Sequence, residues 1–257
     1  MLESKRQDEF LNQSLALAVK NMRNAGYELH NDVIIEIDPN LQYMGYVKIE
    51  SRSLNEGLSS IVVADWALDS DMLHGFILHE LSHIYYTEIN SPSHQTDVID
   101  EVLNLIIENE GLSNLESRSL NEGFNHLQNI IVDDIVFQLM NNTRDIKLIQ
   151  EFFLTWMSDQ PTGNNVLDTS LLARNAFARA SLKRRNIFHE VSDQMNIKNE
   201  RFLSFYEHSN KQSFEIFEDF LVNFNLNDMD DFSTKLLEYF ELMITLLRPD
   251  KSVETLK

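Results

Sequence analysis

Every strand-like segment of this 257-residue chain falls between residues 32 and 68. DVIIEID (32–38) is short and β-branched, QYMGYVKIES (42–51) follows it, and SSIVVADWAL (59–68) is a third run of strand length. Before them, QDEFLNQSLALAVKNMRN (7–24) repeats apolar residues at helical spacing, through Phe10, Leu11, Leu15, Leu17, Ala18 and Met22. Asp69, Ser70 and Asp71 are candidate N-caps for a helix predicted from about Met72 to Glu88, which INSPSHQ (89–95) ends with Pro92 as the breaker. From Thr96 the pattern is helical: 97–109, 120–142, 145–158, 166–185, 187–195, 197–210, 212–224 and 230–247. Strands confined to one window and helices elsewhere give an α+β fold with a small, mostly antiparallel sheet. With seven glycines and four prolines there is no linker, so a core over 1–145 with a helical subdomain over 146–257 packed on it is expected.

The chain has no cysteine, which excludes disulfides, thiolate zinc sites and thiol nucleophiles. MLESKRQDEFL lacks the apolar stretch of a signal peptide, and no run approaches the roughly 18 apolar residues of a membrane span. A cytoplasmic protein without a membrane partner is the expectation. Formal net charge is −20, which repels phosphate backbones, so no nucleic-acid partner is expected. The one basic stretch, ARNAFARASLKRR (173–185), reads as a solvated helix face or an internal ion-pairing surface. ESRSLNEG occurs twice, at 50–57 and 116–123, too short and too few to build a solenoid, and it is given no function. Nothing in the sequence sets an oligomeric state.

HELSH (79–83) places His79 and His83 four residues apart, on one face of the predicted helix. Two imidazoles one turn apart can aim nitrogens at one point, as zinc requires. Glu80, rotated by about 100° from His79, can reach a water there without ligating the metal and serve as general base. The opposite face carries Leu73, Ile77, Leu81 and Ile84, which anchor the helix in a core. This is the H-E-x-x-H pattern. Roughly residues 5–140 resemble the zincin superfamily of metallopeptidases, which place a helix and a small twisted sheet before the HExxH helix. The resemblance implies a zinc-dependent hydrolase acting on a peptide or protein substrate, with His79 and His83 as metal ligands and Glu80 as base. The longer metzincin motif is not matched, because Tyr86 and Ile89 stand where it needs glycine and histidine.

A catalytic zinc site takes a third protein ligand. In NEGFNHLQNIIVDDIVFQLM (121–140), Glu122, His126, Asn129 and Asp133 form a polar stripe on an otherwise apolar helix. NIIVD (129–133) resembles the Glu-x-x-x-Asp or Asn-x-x-x-Asp element of several metallopeptidase families. In the Glu form the glutamate is the ligand and the aspartate orients a histidine. Asn129 departs from that form, so Asp133 is read as the third ligand, with Asp134, His126 and His94 as alternatives. Asn129, Asp134 and Glu101 could orient the histidines, and Tyr85, Tyr86, His189 and Tyr206 could stabilise an oxyanion. A zinc-binding regulatory or scaffold protein on the same fold is the alternative reading.

Overall fold

The chain begins with helix α1 (Leu2–Asn24), which buries Leu11, Leu15, Ala18 and Met22 and leaves Phe10 and Leu17 exposed. Of the apolar positions in the sequence, those at i, i+4, i+7 and i+11 thus form the inward stripe. Strands β1 (Asp32–Asp38), β2 (Gly45–Ile49) and β3 (Leu58–Ala64) follow, then helix α2 (Leu73–Glu88) with the HELSH motif. The computed structural model describes residues 2–49, 57–206, 211–224 and 231–248. The first ESRSLNEG copy lies outside the described residues except for Gly57, and the second lies within a helix, α4 (Asn114–Leu139).

β3 is the central strand, in the order β1-β3-β2. It is buried from Ser59 to Ala64, as its apolar run IVVA requires of a strand covered on both faces. β2 pairs with it antiparallel, Gly45 opposite Val63 to Ile49 opposite Ser59. β1 pairs with it parallel, Asp32 opposite Leu58 to Asp38 opposite Ala64. The sheet is therefore mixed, and the expectation of a mostly antiparallel one is corrected. The chain reverses at each connection, so the first and third strands run the same way, and β3 inserts between the other two. The third predicted strand ends at Ala64, and Asp65–Asp69 forms a 3₁₀ turn.

Helix α2 lies against β2 and β3. The contact with β2 needs a missing side chain. A Cβ on Gly45 would overlap both the Val62 carbonyl oxygen and the ring of Phe76 on α2. Two residues further along β2, the Val47 backbone N–H lies near enough to the carboxylate of Glu80, one turn after Phe76, to lower its proton affinity. The Ala64 N–H donates to the Met44 carbonyl, so the groups of Met44, Tyr46 and Lys48 face β3. Those of Gly45, Val47 and Ile49 consequently face the free edge. At its C-terminal end α2 is tied to the start of β1, because Glu88 accepts from the N–H groups of His30 (2.7 Å) and Asn31 (3.0 Å).

The remaining helices are α3 (Thr96–Glu110), α5 (Thr143–Trp156), α6 (Asn165–Lys183), α7 (Ser192–Phe205), α8 (Lys211–Asn223) and α9 (Phe232–Leu247). Of the segments predicted at 187–195 and 197–210, the described residues form a 3₁₀ turn at His189–Val191 followed by α7, and residues 207–210 lie outside the described residues. Two compact units result. One comprises Met1–His94 and Val132–Leu148; the other comprises Gln95–Ile131 and Ile149–Lys257. Residues 95–131 thus group with the C-terminal helices, and Val132–Leu148 with the N-terminal elements. The second unit packs around Phe177, Phe202, Phe214, Phe217, Tyr239 and Phe240, and the Tyr239 hydroxyl donates to the Gly123 carbonyl. Among the described residues, no helix is long and apolar enough to cross a membrane.

Gly45→Ala is expected to destabilise the protein by about 1–3 kcal/mol, the cost of forcing extra volume into a close-packed contact. Chemical denaturation measures it, and an unchanged midpoint would remove Gly45 as the determinant of the β2–α2 approach.

Candidate functional site

α2 buries Leu73, Ile77, Leu81 and Ile84, which leaves His79 and His83 half-buried on another face. Their Nε2 atoms stand 3.2 Å apart, with the rings nearly perpendicular at 75°. Behind His79, its Nδ1 donates to Asp133 Oδ1 at 2.8 Å. Asp133 comes from the last turns of α4, which belong to the first unit. The same segment is held there by the Tyr27 hydroxyl donating to Gln138 (2.6 Å) and by Met140 packed at Gly75. Asp133 is nearly buried, and an ionised carboxylate there requires such a donor.

Behind His83, the partner comes from the chain just past α2. Asn90 adopts a left-handed conformation (φ 53°), the Ser91 N–H reaches back to the Tyr86 carbonyl, and the Asn90 N–H reaches Thr87. This Schellman arrangement turns the chain through the 3₁₀ turn Pro92–His94. His94 is thereby carried back over the helix end, and its Nε2 lies 2.9 Å from His83 Nδ1. Its other nitrogen lies 2.9 Å from the Ser93 hydroxyl, which lies 2.9 Å from that of Ser91. The ring stacks on Tyr86 at 5.5 Å and 16°. Burial, reinforced by His79, lowers the His94 pKa to about 4, so the ring is neutral near pH 7.

Glu80 is buried, and burial pushes its carboxyl pKa up, partly offset by His79 and by the Val47 N–H. Four residues read from the sequence, His79, Glu80, His83 and Asp133, therefore lie together, with His94 beside them. The other candidates lie elsewhere or make different contacts. Asp134 is half-buried at the next position of α4, and Glu101 is exposed on α3. Tyr85 packs edge-on against Tyr27, and burial and the neighbouring tyrosines push the Tyr86 hydroxyl up to about 12. Tyr206, in the second unit, shares a hydrogen bond with Thr169 (3.1 Å). His126 is also in the second unit, stacked on Phe177 at 5.3 Å and 17°. Sequence reasoning missed Ser91, Ser93 and Val47. The first two carry a signal, two hydroxyls just before a histidine in SPSH; a backbone donor such as Val47 carries none.

The donor chemistry suits a metal in part. Two nitrogens at 2.0–2.1 Å from a tetrahedral ion stand about 3.3 Å apart, close to the His79–His83 separation of 3.2 Å. With His79 Nδ1 donating to Asp133, its Nε2 is left as a lone pair, as a metal requires. Among the described residues, however, no group of three His, Asp or Glu converges to hold an ion.

The basic stretch is engaged internally. Arg179 and Lys183 pair with buried Glu218 at 2.6 and 2.8 Å. Arg184 donates to the carbonyls of Leu221, Val222 and Phe224, and Arg185 to those of Ser181 and Ile130.

A family model matches residues 10–190, more than half of the chain. The chain belongs to DUF5781, a family of unknown function. The matched DUF5781 region includes His79, Glu80, His83, His94 and Asp133. No curated protein and no solved structure matches the chain.

Burial, reinforced by Arg174, lowers the His126 pKa to about 4. The residue keeps some exposed surface, but Nδ1 is buried. The unfolded chain takes up this proton near pH 6.5 and the folded protein only near 4, so stability falls as pH drops through that window. His126→Phe removes this contribution. Its unfolding free energy is expected to fall less steeply than that of wild type between pH 6.5 and 4.5, by at most about 1.4 kcal/mol per pH unit. Denaturant titrations at several pH values check the slope.

Proposed function

We propose that this chain is a zinc-dependent hydrolase, most simply a peptidase. The observation that carries the reading is the 3.2 Å convergence of His79 and His83 Nε2, with Asp133 behind His79. His79 and His83 would hold the metal. In this reading Asp133 is not a ligand: it accepts the His79 Nδ1 proton and keeps Nε2 as a lone pair, the orienting role of carboxylates in such sites. Zinc, when bound, supplies Lewis acidity, polarising a carbonyl and lowering the pKa of water toward about 7.

Glu80 accepts the proton of the attacking water. Its burial raises its proton affinity, which suits a base that must later pass the proton to a leaving amine. The β2 edge gives a peptide somewhere to lie, because the outward groups of Gly45 and Ile49, with the Val47 carbonyl, can pair with an extended chain. The Val47 N–H also acts on Glu80, so the base lies beside the peptide-aligning edge.

A second reading is a regulatory or scaffold protein that binds zinc without hydrolysis. It uses the same His79–His83 convergence and needs no base. Elemental analysis combined with a peptide-library assay separates the two.

About one zinc per chain is expected, with Glu80→Gln keeping the metal while hydrolysis falls by roughly 10²–10⁴-fold. Asp133→Asn is expected to weaken zinc binding by roughly 10–100-fold without abolishing it, as loss of an orienting partner does. A wild type that takes up no zinc overturns the proposal. Zinc uptake with no cleavage by the wild type leaves the scaffold reading in its place.

A further inference from the structure

The polar groups of the first unit's histidine site form one continuous file. It runs Ser91 Oγ, Ser93 Oγ, His94 Nδ1 and Nε2, His83 Nδ1 and Nε2, His79 Nε2 and Nδ1, then Asp133 Oδ1, with successive separations of 2.9, 2.9, 2.9, 3.2 and 2.8 Å. A neutral imidazole carries one N–H and one lone pair, so fixing one proton in the file fixes its neighbours. Asp133, ionised, only accepts, so His79 donates through Nδ1 and presents a lone pair at Nε2.

Along this file, two arrangements satisfy the other groups. With nothing between the two Nε2 atoms, His83 must carry its proton on Nε2 and donate it to His79. Its Nδ1 then accepts, so His94 donates from Nε2, and His94 Nδ1 accepts from the Ser93 hydroxyl. With a cation between the two Nε2 atoms, both must be lone pairs. His83 then carries its proton on Nδ1 and donates to His94 Nε2, and His94 Nδ1 donates to Ser93. Every proton between His83 and Ser93 is reversed. A serine at position 93 is what permits this, because a hydroxyl donates or accepts by rotating its O–H, whereas a carboxylate only accepts.

We infer that His94 is a positioning residue for His83 and that the two rings exchange tautomers together when the site takes up its metal, with Ser93 serving both states. This rests on the zinc reading above. It also gives His94 a role other than that of third ligand: both its ring nitrogens face protein groups, His83 and Ser93.

The test is histidine ¹⁵N–¹H correlation spectroscopy of the ¹⁵N-labelled wild-type chain, metal-free and with added zinc alone. His83 and His94 are expected to carry protons on Nε2 without metal and on Nδ1 with it, while His79 keeps its proton on Nδ1 in both. His94→Ala is expected to bind zinc roughly 10–100-fold more weakly in chelator competition, with His94→Gln, which retains an acceptor oxygen, recovering part of the loss. If zinc binds through His83 while His94 keeps its Nε2 proton, the coupled exchange is overturned. If a His94 nitrogen shifts as a zinc-bound nitrogen does, His94 is a ligand and the positioning role is overturned. If no histidine responds to zinc and none is taken up, the zinc reading itself has failed, an outcome the same spectra distinguish from the other two.

Discussion

The approach of β2 to α2 at Gly45 is the contact from which the rest of the site follows. A helix rises about 6 Å over four residues and an antiparallel strand about 6.8 Å over two, so the pair Gly45–Phe76 and the pair Val47–Glu80 are matched steps along two neighbouring elements. Because the strand sits this close, the N–H that an edge strand would leave unpaired meets a carboxylate, and the carboxylate loses its water. Each would be costly to bury alone; set against each other, each offsets part of the other's cost. The close packing of β2 on the helix that carries Glu80 thus depends on a glycine thirty-five residues earlier in the chain.

Much of this was legible in the sequence, for identifiable reasons. The strand at 32–38 and the helix ending at Glu88 were bounded by strong signals: β-branched residues in the first, INSPSHQ after the second. The mixed sheet was not legible, because alternation and propensity report which face a residue takes and not which strand lies beside it. The HELSH pair was legible because a four-residue spacing on a helix is itself a statement of geometry. Asp133 was singled out as the polar exception in an apolar helix, but composition does not say which side of a histidine a carboxylate takes, and it lies at Nδ1. His94 was noticed without its partner, since the turn at Asn90 that returns it to His83 depends on one left-handed residue that asparagine only moderately favours.

The strong negative charge of the chain has a counterpart in the second unit, where cations work on the inside. Glu218 is almost fully buried and is met by Arg179 and Lys183, while the guanidinium of Arg179 also lies over the rings of Phe188 and Phe214. Arg184 and Lys198 satisfy carbonyls at helix ends, Arg184 those of Leu221, Val222 and Phe224 and Lys198 those of Leu154 and Met157. A basic run in an acidic sequence is thereby explained by the accounting of buried backbone and carboxylate groups.

The turn at Asn90 divides the histidine site by the length of chain each half must close. His83 and His94 are eleven residues apart, whereas His79 and Asp133 are fifty-four apart. Closing the longer loop costs an unfolded chain about 1.4 kcal/mol more, since loop entropy grows with the logarithm of length. The half around His83 is therefore a local structure, written into one helix and its C-terminal turn. The half around His79 exists only once residues 132–139, within the first unit, have packed beside it. An imidazole pair that looks symmetric in the folded protein thus reports on two separate events of its assembly: His83 on helix formation, His79 on tertiary closure.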